Sequence, residues 1–132
     1  MIVTSDIYKI LFDKVKDFGI KAVYDGWNPI KSELKEEAIV IVTSTPVEPD
    51  TYWEKAFVHV NICSPDIRKQ TNTIRLNELE RFANKWIGNN PVGEFDGSKY
   101  RISKSSLGIE KDEALKCSYV NIKLLFEILN VK

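Results

Sequence analysis

The chain has 132 residues, 43% of them hydrophobic and 29% charged, and lysine plus arginine balance aspartate plus glutamate at 19 each. That length suits one domain burying roughly two-thirds of its unfolded surface, and the composition excludes a fibre or a disordered chain. The even charge speaks against a duplex-binding module, which shows a marked basic excess.

The balance hides a polarity along the chain. Residues 1–66 carry 7 basic and 11 acidic side chains, whereas residues 67–132 carry 12 and 8. Complementary fields steer association and fix register, so an acidic front half and a basic back half suit copies that meet patch to patch. Cys63 and Cys117 stand 54 positions apart and form neither a zinc pattern nor a CxxC motif. The start, MIVTSDIYK, has no basic region leading into an apolar core, so no signal peptide is expected. Apolar runs such as AIVIV fall far short of the ~20 residues that span a bilayer. The expectation is a soluble cytosolic product whose free thiols fill its core.

Ile7, Ile10, Leu11, Val15 and Phe18 share one helical face, which predicts a helix over about 6–18. Ser5 or Asp6 caps its start and Gly19 its end. A short extended piece follows around Lys21–Tyr24, broken by Asp25-Gly26 and Asn28-Pro29. IKSELKEE is polar and reads as a loop or one helical turn. AIVIVT is apolar and β-branched, as a strand buried on both sides requires, and the prolines of STPVEPD end it. Ala56, Val58, Val60 and Ile62 then alternate onto one strand face, with Lys55, Phe57, His59, Asn61 and Cys63 on the other.

Thr71 or Thr73 starts a second helix, whose inner face is Leu76, Leu79, Phe82, Ala83, Trp86 and Ile87 and whose end is Gly88. GNNPVGEFDGS reads as a loop. SKYRISKSS is a strand and LGIEKDEAL turns the chain. CSYVNIKLLFEIL is a last strand, with Ser118, Val120, Ile122, Leu124, Phe126 and Ile128 on one side. The order α–(β)–β–β–α–β–β predicts a single α+β domain over 1–132: a mostly antiparallel sheet of four to five strands with both helices on one face.

No reaction centre emerges from the residues. His59, the one histidine, has Phe57 and Asn61 as its same-face strand neighbours, and neither is the carboxylate that orients a catalytic base. Cys63 lies four residues along the strand, about 13 Å away, so a Cys–His pair requires Cys117 from another strand. One histidine and two separated cysteines supply too few soft ligands for a metal. Glu36-Glu37 and Asp112-Glu113 read as solvated loop charge, and no phosphate-cradling glycine motif occurs. The expectation is therefore no enzyme, no metal and no cofactor. SKYRISKS places Lys99, Tyr100, Arg101 and Lys104 on one strand, the kind of aromatic and basic face that stacks single-stranded bases. A small single-stranded nucleic-acid-binding or regulatory domain is thus the alternative, although the glycine-and-aromatic pattern of RNA-recognition strands is missing and nucleic acid is not the expected partner. Trp27 in a turn, with Val47, Tyr52 and Trp53 around the proline-rich loop, points instead to protein contacts, where tryptophan and tyrosine are enriched. The loop at 108–115, with Ile109 and Asp112, completes the candidate interface.

Taken in order, several segments resemble one family. These are the helix DIYKILFDKVKDFG, the strands AIVIV and KAFVHVNICSP, the helix TIRLNELERFANKWIG and the closing pair YRISKSS and SYVNIKLLFEIL. Over nearly the whole chain they are similar in order and spacing to the tail-terminator (tail-completion) proteins of long-tailed bacteriophages and prophages. The resemblance implies a structural subunit of a homo-oligomeric ring, commonly a hexamer, that caps the tail tube and joins it to head-completion proteins. It also implies assembly in the host cytoplasm and then a place in the virion tail. No functional residue is carried over, because no motif position matches one to one. The stretch NPIKSELKEE is more charged than the family layout suggests at that point.

Overall fold

The computed structural model describes residues 1–28, 30–43, 53–89 and 91–129. In chain order they form helix α1 (Thr4–Lys14), a 3-10 extension (Val15–Phe18), strands β1 (Ala22–Asp25), β2 (Ala38–Val42) and β3 (Glu54–Pro65), helix α2 (Thr73–Asn89), and strands β4 (Val92–Phe95), β5 (Ser98–Asp112) and β6 (Cys117–Leu129). The α+β class holds, with one sheet of six strands in the order β1-β2-β3-β6-β5-β4.

Three features depart from the sequence expectation. The sheet is mixed, because β1 runs parallel to β2. A further strand, β4, lies within the segment read as a loop; Asp96 and Gly97 both take positive φ and turn it directly into β5, the two-residue hairpin that an Asp-Gly pair favours. β5 also continues through residues 108–112, so the predicted turn begins only after Asp112. Its alternation is obscured by a register shift between Lys104 and Ser106. Before the shift, Tyr100 and Ile102 pair with Ile128 and Phe126; after it, the odd-numbered Leu107 and Ile109 pair with Ile122 and Val120. One extra residue inverts the phase, as a β-bulge does.

Both helices cover one face. Ile7, Ile10, Leu11 and Val15 from the first helical segment and Leu76, Leu79, Ala83, Trp86 and Ile87 from α2 pack on Ile39, Ile41, Val58, Val60, Ile62, Val120, Ile122, Leu124, Phe126 and Ile128. Each large side chain buried there contributes about 1.5–3 kcal/mol. The helix ends differ slightly from expectation. Asp6 does serve the start of α1, but from within the first turn, where its carboxylate accepts the Val3 N–H at 3.0 Å. Asn72 caps α2 by accepting the Arg75 N–H at 3.2 Å, and Gly88 lies inside the final turn. Gly19, at φ 70, ends the 3-10 segment as expected. Trp86 ties the helices together by donating its indole N–H to the Lys14 carbonyl at 3.1 Å.

Among the described residues, a connecting segment covers the other face at one end. The polar connection from β1 to β2 crosses it, packing Ile30 and Leu34 on Ala38, Cys63, Cys117, Leu115 and Tyr119. Leu34 donates its N–H to the Leu115 carbonyl at 2.9 Å. The charged stretch IKSELKEE is therefore a strap with two apolar anchors, and its charges serve solvent and ion pairs. One of these is a two-pronged bridge from Arg75 to Glu37, at 2.6 and 2.9 Å, which fastens the strap to α2.

Candidate functional site

The antiparallel register of β3 on β6 decides which side chains share the strapped face. Cys63 sits opposite Tyr119 and Cys117 opposite Pro65, so the two cysteines are diagonal neighbours two positions apart. Both are free thiols, buried at 3% and 0% exposure. The Cys63 thiol is directed at the Asn61 carbonyl at 4.0 Å, and its hydrogen-bonding interaction with Cys117, then burial, pushes Cys63 up. The same bond holds Cys117 below the ordinary thiol range, although burial and the nearby Asp112 and Asp66 push the other way. Accepting a hydrogen bond favours the thiolate, and here that outweighs desolvation.

These sulfurs form part of the wall of a cleft of about 370 Å³. Its apolar walls are Ile30, Val40, Val42, Ala114 and Leu115, and its polar lining includes Asn61, Tyr119, Asp112 and Asp25. Asp25 is occupied by its own turn, accepting from the backbone of Trp27 at 2.9 Å and of Asn28 at 2.7 Å. Asp112 uses one carboxylate oxygen on the Leu115 N–H at 3.0 Å. Asn61 Oδ1 is buried and has no hydrogen-bond partner among the described residues. Next to the cleft, the Tyr119 hydroxyl donates to Glu110 at 2.7 Å. That bond, then burial and the charges of Glu110, Asp112 and Cys63, push Tyr119 up to about 12.

His59 belongs elsewhere. It pairs with Lys123 across β6 and contacts Asn121 Oδ1 through Nδ1 at 3.3 Å. Cys117 lies six register positions along from Lys123, about 20 Å away at strand spacing, so the conceivable His59–Cys117 pair is not assembled. Tyr100, proposed as a base-stacking ring, is 6% exposed and stacks on Phe126 inside the core at 5.0 Å between centroids. Arg101 is instead committed to Glu127, at 2.9 and 3.1 Å.

The interface candidates are scattered. Trp27 stands 60% exposed in the turn after β1. Trp53 folds onto the unstrapped part of the sheet, beneath the Arg101 guanidinium at 4.3 Å from its ring. Ile109 is 48% exposed and lies on β5, not in a loop. Asp112 ends that strand and belongs to the cleft. Val47 and Tyr52 fall outside the described residues. Sequence reading missed the cleft because its parts come from five segments. Only the β3–β6 register could have brought the cysteines together. Another cation–aromatic contact, Lys123 over Phe57 at 4.6 Å, follows from that same pairing.

Margins are the sheet's other distinctive feature. β1 pairs only with β2, leaving its outer edge without a strand partner among the described residues. At the other side β4 covers only Ser98–Arg101 of β5, and Pro91 accepts the Ile102 N–H at 2.7 Å. From 103 to 112 the outer edge of β5 therefore has no strand beside it among the described residues.

No protein-family model and no curated protein sequence matches the chain. Among solved structures, one aligns over 97% of this chain and 97% of its own, at 14% identity and a TM-score of 0.55, a likeness of fold alone.

Proposed function

We propose that the protein is a structural assembly subunit that contacts copies of itself head to tail, in the manner of the phage tail terminators that its sequence resembles. The ring would cap a tail tube, present a surface to head-completion proteins, and form in the host cytoplasm before entering the virion tail. The observation that carries this reading is the pair of unlike free sheet margins. A subunit with two different margins forms heterologous contacts, which close into rings when the rotation allows. Strand edges supply backbone donors and acceptors for such contacts without any catalytic group. β1 and the strap belong to the acidic half of the chain and β4 and β5 to the basic half, although β4 and β5 themselves carry nearly balanced charge, Lys99, Arg101, Lys104 and Lys111 against Glu94, Glu110 and Asp112.

The test is mass measured by light scattering across a concentration series, with electron microscopy of any oligomer. A particle of fixed copy number with a central opening is expected. A monomer at every concentration up to about 1 mM, where even a −4 kcal/mol contact would be half formed, would overturn the reading.

A further inference from the structure

We propose that Cys63 and Cys117 form a dithiol site, gated by the strap, that captures a trivalent monoorganoarsenical by bonding one arsenic atom to both sulfurs. The inference stands apart from the assembly reading, because it uses the strapped face alone. Register brings the thiols together: Cys63 pairs with Tyr119 and Cys117 with Pro65, so both belong to one sheet face, two positions apart. Both are free, they pack in one cluster, and they interact by hydrogen bonding. Direct oxidation of the pair is opposed by the backbone. Diagonal neighbours stand about 7–8 Å apart across a sheet, whereas a disulfide joins Cα atoms about 4.4–6.8 Å apart. An atom placed between the sulfurs removes that conflict, because it adds two bonds, each about as long as the 2.3 Å zinc–thiolate bond.

Ligand number and charge select the acceptor. Among the described residues no third histidine, cysteine or carboxylate joins the thiols in a metal-holding group, which leaves a four-coordinate ion short of ligands. A monocation such as copper(I) would leave a net negative complex beside Asp112 and Asp66, whose charges already oppose a thiolate at Cys117. The hydrated monoorganoarsenical leaves a neutral product. Two S–H and two As–O bonds break, and two S–As and two O–H bonds form. Two waters depart and arsenic stays trivalent, so no oxidant is needed. Cys117, the more acidic thiol, attacks first, since the thiolate is the nucleophile, and Cys63 closes the bridge. The organic arm then lies in the adjoining cleft of about 370 Å³, whose walls include Ile30, Val40, Val42 and Leu115. Entry requires the strap to lift, because both cysteines are buried and Ile30 and Leu34 pack in their cluster. The strap is tied down by the Leu34 bond to Leu115, by Glu33 on Lys116 at 3.7 Å and by Glu37 on Arg75.

The probe is phenylarsine oxide, added to the full reduced chain and followed by intact mass. One phenylarsenic unit per chain is expected in place of two hydrogens, with both thiols lost to a chromogenic disulfide reagent. The bridge should survive excess mercaptoethanol and yield to dimercaptopropanol. Cys63→Ser and Cys117→Ser should each lose the monothiol-resistant adduct, and glutathione disulfide should form no internal disulfide in the native chain. Glu37→Gln should speed labelling about two- to fivefold, the range that a partly exposed ion pair supports. Lifting the strap is a local opening, so the labelling rate should change little with urea below the unfolding transition. Absence of the adduct, its removal by a monothiol, its retention in either cysteine variant, or an internal disulfide formed by glutathione disulfide would overturn the site. A rate unmoved by Glu37→Gln, or one that rises with urea as steeply as global unfolding does, would overturn the gate.

Discussion

Tyr119 shows how a single side chain reports its surroundings. Its hydroxyl donates to Glu110, and its ionisation is pushed up to about 12, against an ordinary value near 10. The folded state therefore holds this proton longer than the unfolded chain does. The resulting stabilisation is complete below about pH 10 and is lost as pH rises from 10 toward 12. Of the five tyrosines, Tyr8 is also raised, by burial and then by Asp25. Titration followed at 295 nm should show a late-ionising step near pH 12 that Tyr119→Phe removes. Glu110→Gln should return that step toward pH 10, and a step near pH 12 of undiminished amplitude in both variants would contradict the assignment.

Among the elements, the β4–β5 hairpin depends on one missing side chain. Gly93 pairs with Tyr100, and a Cβ built on it would run into the Tyr100 ring, which lies across the strand and stacks on Phe126. Gly93→Ala should displace that ring and destabilise the protein by about 1–3 kcal/mol, the usual cost of overpacking, read as a lower urea midpoint. The same hairpin shows where sequence reading failed. Helices and the central strands were legible because Ile7-Ile10-Leu11 repeats at helical spacing and Val58-Val60-Ile62 at strand spacing, and burial enforces both patterns. β4 was not legible, since four residues that include a glycine carry no alternation of their own; only Asp96-Gly97 marked it. β5 was cut short because the bulge near Ser105 reverses its phase in mid-strand, so its second half looked irregular. The parallel β1 pairing and the cleft depend on contacts between distant segments, and no local pattern encodes those.

For the whole molecule, polarity is the organising property. The acidic half contributes one margin and the strap, the basic half the other margin. If copies join through these halves, the contact is screened as the Debye length falls from about 10 Å at 0.1 M salt to 3 Å at 1 M. Sedimentation at the two ionic strengths should show the assembly dissociating at the higher one, and an assembly that grows with salt would point to an apolar contact instead. The front margin has another consequence. β2, AIVIV, is apolar along its length and largely buried, and among the described residues the four of β1 are the strand beside it on the outer side. That short ribbon acts as a seal. Were it to peel away, the bared β2 would be a sticky template for other chains, so the guarding of that edge falls to four residues staying in place.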